Sequence, residues 1–160
     1  MSPMTMTLTS TAFDDGDTMP EAYTCHGPNT SPPLAWEGVP EGTQSFVLIM
    51  DDPDIPHPKL RLITWTHWLV YDIPAAARSL PEDLPGDPTL ENGAKQAVTS
   101  FRVPGYGGPC PPFGTHHYHF VLHALDCTLG LDPADAKRAD LEAAMDGHVL
   151  ATAELVGAFR

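Results

Sequence analysis

Basic residues are scarce in this sequence. Its 160 residues include only eight Lys plus Arg against 21 Asp plus Glu, which gives a formal net charge of −13 at pH 7. Nucleic acids and anionic membranes are bound largely through clusters of Lys and Arg that neutralise phosphate groups. We therefore expect no nucleic-acid binding, and an anionic ligand must be held by local contacts rather than by the charge of the whole surface.

Long apolar runs are also missing. No stretch approaches the roughly 20 apolar residues that a membrane-spanning helix needs, so we expect no integral membrane association. Residues 1–7 contain neither the basic segment nor the apolar run of a secretory signal. The sequence thus predicts a cytoplasmic location.

Cysteine is rare as well, with Cys25, Cys110 and Cys127 as the three in the chain. Three are too few for a disulfide framework, and no Cys-x-x-Cys pair is present to suggest structural zinc. Because unpaired cysteines are commonly buried and disulfides are rare in the cytoplasm, we expect free thiols. A bridge between Cys25 and Cys110 stays open as the alternative.

Proline and glycine, in contrast, are abundant, with 18 Pro and 13 Gly. Such a composition favours many short strands joined by turns over long helices. The length fits one domain, 1–160, which can bury roughly 70% of the surface that the unfolded chain exposes. Neither a metal nor a disulfide is needed to form its core.

Hydrophobic patterns locate the individual elements. Phe46 to Met50 is a continuous apolar run closed by acids, which is typical of a strand buried on both faces. Asp132 as N-cap and Pro133 at the first helical position predict a helix that ends at Gly147. Residues 149–159 alternate in polarity and are predicted as a strand, although their Ala and Glu also permit a helix. The other strand candidates are Thr64–Ile73, Ala94–Val103 and Tyr118–Leu125, and Ser79–Pro88 is predicted to be a surface loop.

Four histidines lie close together at positions 116, 117, 119 and 123. Side chains on a strand alternate between faces, so His116 shares a face with Tyr118, while His117, His119 and His123 point the other way. His117 and His119 are about 7 Å apart on such a strand and could hold a metal between them. No third ligand with a recognisable spacing accompanies them, so we expect no metal and interpret these histidines as solvent-facing or hydrogen-bonded.

The same alternation brings together polar side chains of three strands. Asp52 ends the first strand, His67 lies on the second, and His116 and Tyr118 begin the third. If these strand ends converge, the four side chains meet beside the Gly107–Pro109 loop. We expect the carboxylate to raise the pKa of the histidines, so that imidazolium and backbone N–H groups bind an anionic oxygen. The alternative is that Asp52 is a turn residue and that the others are hydrogen-bonded core residues.

Motifs of common enzyme classes are missing. The chain has no Gly-x-Ser-x-Gly elbow and no recognisable Cys–His pairing, and prolines after the Gly105–Gly108 loop block the helix of a nucleotide site. The sequence therefore predicts a binding or regulatory protein rather than an enzyme. The alternative is a hydrolase in which His67 or His116 is the general base and Asp52 orients it, although no nucleophile can be named.

Four motifs follow one another along the chain: Asp-Pro-Asp-Ile-Pro at 52–56, Trp-Thr-His-Trp at 65–68, Gly-Pro-Cys-Pro-Pro at 108–112 and His-His-Tyr at 116–118. In this order they resemble the phosphatidylethanolamine-binding family, specifically its bacterial and archaeal branch, which is called Raf-kinase-inhibitor-like. The resemblance covers nearly the whole chain.

The resemblance implies a mainly β fold, a two-sheet antiparallel β-sandwich with one or two short helices. It also implies a shallow anion pocket, a cis peptide before Pro56, and no metal or organic cofactor. The implied partner is a phosphorylated or carboxylated small molecule or protein, and a homodimer stays open. A second alternative is an inhibitor of kinases or proteases that acts through the loops at residues 57–61 or Ser79–Pro88. The pocket residues implied are Asp52, Pro56, Trp65, His67, Gly108, His116 and Tyr118.

Overall fold

The chain is described by a computed structural model that covers residues 5–160. Residues 1–4, which belong to the predicted domain 1–160 and to the N-terminal segment 1–7, lie outside the described part. Within residues 5–160 the fold is mainly β, with two antiparallel sheets and one α-helix, which confirms the predicted fold class. A single turn of 3-10 helix at Glu21–Tyr23 is the other helical segment of this part.

The larger sheet has five strands in the order β6-β4-β3-β7-β8, and the smaller has three in the order β1-β2-β5. The α-helix α1 separates β7 from β8 along the chain. The element bounds are β1 Thr7–Thr9, β2 Leu34–Glu37, β3 Ser45–His57, β4 Leu60–Pro74, β5 Ser79–Leu80, β6 Lys95–Gln96, β7 His116–Leu125, α1 Arg138–Met145 and β8 Val149–Phe159.

The larger sheet is covered on both faces because the central strand β3 is apolar on both. Its even-numbered residues pack between the sheets, where the ring centroids of Trp36 and Phe46 are 5.4 Å apart. Its odd-numbered residues Val47 and Ile49 belong to a second cluster with Leu141 and Met145 of α1. Burial of each such side chain contributes about 1.5–3 kcal/mol relative to exposure. The prediction of a doubly buried strand is confirmed.

The helix α1 begins at Arg138, later than the predicted start at Pro133. Asp132 uses its carboxylate to accept the Ala134 N–H and its carbonyl to accept the Ala136 N–H, and this closes a separate turn. Lys137 is then extended, and its N–H donates to the Asp140 carboxylate at the true start of α1. Asp132 therefore caps a local turn that stands in place of the first turn of the predicted helix.

The other element predictions have mixed outcomes. The alternating segment 149–159 is the strand β8, as predicted. In Ala94–Val103 only Lys95–Gln96 forms a strand, because the buried Gln96 side chain donates to the Pro85 and Asp87 carbonyls and ties this segment to a loop. The predicted loop Ser79–Pro88 begins with the short strand β5.

Cys25 and Cys110 form a disulfide, so the expectation of free thiols is wrong for this pair. The Cys25 N–H donates to the Pro109 carbonyl, and this contact aligns two segments that are 85 residues apart in sequence. Cys127 is not in a disulfide. The free thiols were expected because a cytoplasmic location was predicted, and the disulfide argues against that location because disulfides persist mainly in oxidising compartments.

Membrane insertion by a helix has no support within residues 5–160, where no helix combines the length and the apolar character needed to cross a bilayer.

Candidate functional site

Three adjacent strands of the larger sheet carry six of the seven predicted pocket residues, and Gly108 lies in the loop before β7. Strand β3 lies between β4 and β7, and Asp52 of β3 pairs directly with Trp65 of β4. This register brings Asp52, Trp65, His67 and Tyr118 to one small cavity of about 160 Å³. The full lining is Asp52, Ile55, Trp65, His67, Phe101, Cys110 and Tyr118.

Asp52 and His116 form a buried pair beside this cavity. Nδ1 of His116 is 2.6 Å from Oδ2 of Asp52, and both side chains are almost fully buried. Nε2 of His116 faces the Phe113 carbonyl oxygen at 2.8 Å. Since both ring nitrogens face oxygen acceptors, an imidazolium satisfies the geometry with two N–H donors, whereas a neutral ring has only one. No ring nitrogen of His116 is left for a ligand, and His116 is absent from the cavity lining.

His67 offers its ring to the cavity with one nitrogen already engaged. Its Nδ1 donates to the Gly107 carbonyl oxygen at 2.6 Å, which fixes the proton of a neutral ring on Nδ1 and leaves Nε2 as an acceptor. Burial lowers the pKa of His67 and outweighs the raising effects of the Gly107 carbonyl and of Asp52. Asp52 does raise the pKa of His67, as expected, but burial has the larger effect, so the expectation of a raised pKa is wrong for His67.

Tyr118 presents the least satisfied polar group of the cavity. Its hydroxyl oxygen is buried and makes no hydrogen bond of standard geometry within residues 5–160. Burial, together with the charges of Asp52 and Asp54, raises the pKa of Tyr118 far above its ordinary value, so the phenol keeps its proton. Its ring meets the His67 ring edge-on, with centroids 5.2 Å apart. The Cys110 backbone N–H is near enough to offset a small part of this rise in the pKa, but no acceptor among the described residues takes the hydroxyl proton, so the cavity contains an unused O–H donor.

Gly108 and Pro56 are near the cavity but do not line it. The Gly108 N–H donates to Oδ1 of Asn29 at 2.8 Å, and the Gly107 N–H donates to the His67 carbonyl at 3.1 Å. Both N–H groups are thus engaged within the fold, and the expectation that a backbone N–H of this loop binds an anion stays a prediction. Gly108 instead lines a neighbouring cavity of about 310 Å³. The Ile55–Pro56 peptide is cis, as the resemblance implies.

Glycine is required at position 108 by close packing. A Cβ atom there would clash with the Tyr23 carbonyl oxygen and with the Asn29 side chain. The Tyr23 carbonyl also accepts the Tyr106 hydroxyl at 2.6 Å. The segment before the disulfide and the segment of Gly108 are thus packed together as one wall of the candidate site.

Three lining residues escaped the sequence analysis: Ile55, Phe101 and Cys110. Phe101 lies in a turn, and its ring packs edge-on against Trp65 at 5.6 Å and His67 at 5.2 Å. Strand alternation cannot place a turn residue, so Phe101 had no detectable signal. Ile55 stands inside the motif at 52–56, and its position beside Pro56 was the signal that could have identified it.

The outward-facing histidines each have their own partner. His117 Nδ1 lies 3.2 Å from Asp54 Oδ2, and His119 Nδ1 lies 3.2 Å from Glu154 Oε1. His123 contacts Thr152 in the same way at 3.0 Å. The strand alternation that separated these histidines from His116 is confirmed by their burial pattern.

Residues 9–160 match the family model described as phosphatidylethanolamine-binding protein. A UPF0098 protein of Aquifex aeolicus is 48% identical over 158 residues, which cover 97% of this chain and 88% of that protein. A UPF0098 protein of Methanothermobacter thermautotrophicus is 45% identical, with 97% and 99% covered.

Solved structures agree with this match. A phosphatidylethanolamine-binding protein homologue from Chlamydia trachomatis superposes with a TM-score of 0.88 at 38% identity, and 99% of each chain is covered. E. coli YbcL, described as a member of the mammalian PEBP family, gives a TM-score of 0.86 at 34% identity, with 97% of this chain and 98% of that chain covered.

Proposed function

Because the chain belongs to the phosphatidylethanolamine-binding protein family, we propose that it is a binding or regulatory protein whose small cavity takes the phosphoryl or carboxylate group of a small molecule or partner protein. The observation that carries this proposal is the buried Tyr118 hydroxyl without a hydrogen-bond partner. Leaving such a group unpaired costs about 1–3 kcal/mol, and a ligand oxygen in the cavity would recover that cost.

The cavity groups favour an acidic ligand that keeps one proton. Tyr118 supplies an O–H donor, and neutral His67 supplies an acceptor at Nε2. An imidazolium at His116, which the two oxygen acceptors around its ring favour, would balance the charge of Asp52 and leave the cavity wall with little net charge from this pair. A phosphoryl oxygen that accepts from Tyr118 and a P–OH group that donates to His67 match both partners. A fully deprotonated anion matches the site only when His67 is protonated.

The surroundings of the cavity favour a ligand with an apolar part beside its acidic group. Ile55 lines the cavity and pairs with Ile63 across the β3–β4 hairpin, and Ile63 is half exposed. Phe101, which also lines the cavity, is 39% exposed. Exposed apolar residues grouped at a binding site usually contact the ligand or partner. A free inorganic ion would leave them uncovered.

Calorimetric titration of phosphate into Tyr118→Phe tests the proposal. The variant loses the proposed donor, which has no acceptor within residues 5–160 of the folded protein, so its unfolding free energy should change little. Phosphate affinity should fall about 10- to 100-fold, as expected for one hydrogen bond to a charged group.

The matched control is Tyr71→Phe, because the buried Tyr71 hydroxyl donates to the Leu131 carbonyl at 2.7 Å away from the cavity. This control should lose stability and keep phosphate affinity. Phosphate binding that is equal in Tyr118→Phe and in the parent protein would overturn the proposal.

The hydrolase alternative is less well supported by the same geometry. It needs a histidine that is oriented by Asp52 and has a free ring nitrogen to accept a proton. The histidine that contacts Asp52 is His116, whose second nitrogen is taken by the Phe113 carbonyl. The histidine with an available nitrogen is His67, which is oriented by a carbonyl instead.

A further inference from the structure

A second cluster of polar side chains lies at the opposite end of β7 from Tyr118. Asp126 and Cys127 follow β7, and His148 precedes β8. One ligand atom from each, namely a carboxylate oxygen, the sulfur and a ring nitrogen, lie within 4.8 Å of one another. This is the one group of three or more metal-ligating side chains found within residues 5–160.

The backbone beneath the cluster is firmly held. The Asp126 N–H donates to the His148 carbonyl at 3.0 Å, which extends the β7–β8 pairing by one step. The Cys127 carbonyl accepts the buried Ser45 hydroxyl at 2.6 Å, and the His148 N–H donates to the Met145 carbonyl at 2.9 Å. The side chains themselves stay open to solvent, since His148 and Asp126 are 47% and 45% exposed. A metal could therefore enter without opening the fold.

We propose that Asp126, Cys127 and His148 form a zinc-binding site with water as the fourth ligand. Sulfur, imidazole nitrogen and carboxylate oxygen are the three donor types that Zn²⁺ takes, and one open position is usual when the protein supplies three ligands. Tetrahedral zinc requires donors about 3.3–3.7 Å apart, given bond lengths of about 2.0–2.3 Å. The ligand atoms of the three side chains all lie within 4.8 Å of one another. His148 Nδ1 and Asp126 Oδ1 are hydrogen-bonded at 2.7 Å, so zinc would have to replace the proton between them.

The electrostatic surroundings favour a cation at this position. The carboxylate of Asp126 is part of the cluster, and the carboxylate of Asp72 lies on the nearby strand β4, with Lys95 Nζ 3.4 Å from it. Asp72 itself is not available as a ligand, because its carboxylate accepts the Leu129 and Gly130 N–H groups. The sequence-based expectation of no metal was argued from the histidines of β7, and it did not consider this cluster. The following experiment decides between the absence of a metal and a zinc site at this cluster.

The test is a titration of Zn²⁺ into the full-length, untagged protein in the presence of a competing chromophoric chelator. One Zn²⁺ per chain is expected. The variants Cys127→Ser and His148→Ala should each weaken binding at least tenfold, and Asp126→Asn should weaken it less, because the amide oxygen can still contact the metal. The matched control is His119→Ala, which removes a histidine with an acidic partner from the same sheet but has no cysteine nearby.

A second readout identifies the sulfur ligand. Co²⁺ bound in place of Zn²⁺ should give a sulfur-to-metal charge-transfer band in the parent protein that is lost in Cys127→Ser, and Zn²⁺ should slow alkylation of Cys127. Fewer than one Zn²⁺ per chain, one Zn²⁺ shared between two chains, or binding that survives Cys127→Ser and is lost in His119→Ala would overturn the proposal.

Discussion

The buried Asp52–His116 pair should be strongly coupled in the folding free energy. Its atoms are 2.6 Å apart and its side chains are almost fully buried. The gross attraction of two unit charges at this distance is about 6 kcal/mol at an effective dielectric of about 20, and the cost of removing both from water offsets part of it. Asp52→Asn leaves the imidazolium without its counter-charge, so we expect the variant to lose about 3–5 kcal/mol of unfolding free energy.

A double-mutant cycle measures the coupling directly. Asp52→Asn, His116→Gln and the double variant are unfolded in urea at neutral pH, and the non-additive part is expected to be about 2 kcal/mol or more. The chain offers a matched control in Asp126 and His148, whose atoms lie at nearly the same distance, 2.7 Å, but are about half exposed. In the presence of a chelator this control pair should show a coupling of about 0.2–1 kcal/mol, because solvent screens exposed pairs.

The comparison of the two cycles can refute the reasoning. Equal couplings would show that burial does not strengthen the Asp52–His116 pair. A coupling below about 0.5 kcal/mol for the buried pair would show that His116 is not the charged partner of Asp52, since even exposed pairs reach that value. Either result would withdraw the assignment of an imidazolium at His116.

Two further predictions concern the disulfide and the pH dependence of binding. Replacing Cys25 and Cys110 by serine should lower the unfolding free energy by about 4–5 kcal/mol, which is the loop-entropy value for a cross-link across 85 residues. The measurement is urea unfolding, with Cys127→Ser as the control. A change below about 1 kcal/mol would contradict this prediction. The pKa of His67 is lowered below 6.5, so sulfate should bind poorly at about pH 7.5 and more tightly as the pH falls through that lowered pKa. Phosphate keeps a proton and should bind at both the higher and the lower pH. Calorimetric affinities that change with pH in the same way for the two anions would be inconsistent with a neutral His67.

Strand alternation explains why part of the candidate site could be predicted. Asp52, His67 and Tyr118 lie on neighbouring strands whose ends converge, and the period of two fixed which side chains share a face. Alternation gives no information about hydrogen-bond partners outside the strands. Two such partners lie in loops and have no sequence pattern. They are the Phe113 carbonyl, which accepts from His116, and the Asn29 amide oxygen, which accepts the Gly108 N–H.

Contacts between segments that are far apart along the chain could not be predicted from the sequence either. Cys25 and Cys110 are joined through a contact between a turn and a proline-rich loop, and their spacing alone does not distinguish a bridge from two buried thiols. The Asp126, Cys127 and His148 cluster was also hidden, because α1 separates its two halves along the chain and only the β7–β8 pairing brings them together. The local signal at Asp132 was misleading, because this residue caps a separate turn and α1 begins only after Lys137.

His116 supports anion binding indirectly under the proposed function. The sequence suggested direct contact with the ligand, but both of its ring nitrogens are engaged. What His116 supplies is the charge that balances Asp52 on the cavity wall. An unbalanced carboxylate a few ångströms from a bound anion would repel it by about 2–3 kcal/mol at an effective dielectric near 20, which is comparable to the gain from the Tyr118 hydroxyl. In a chain with a net charge of −13, this local neutralisation is what makes an anion site physically feasible.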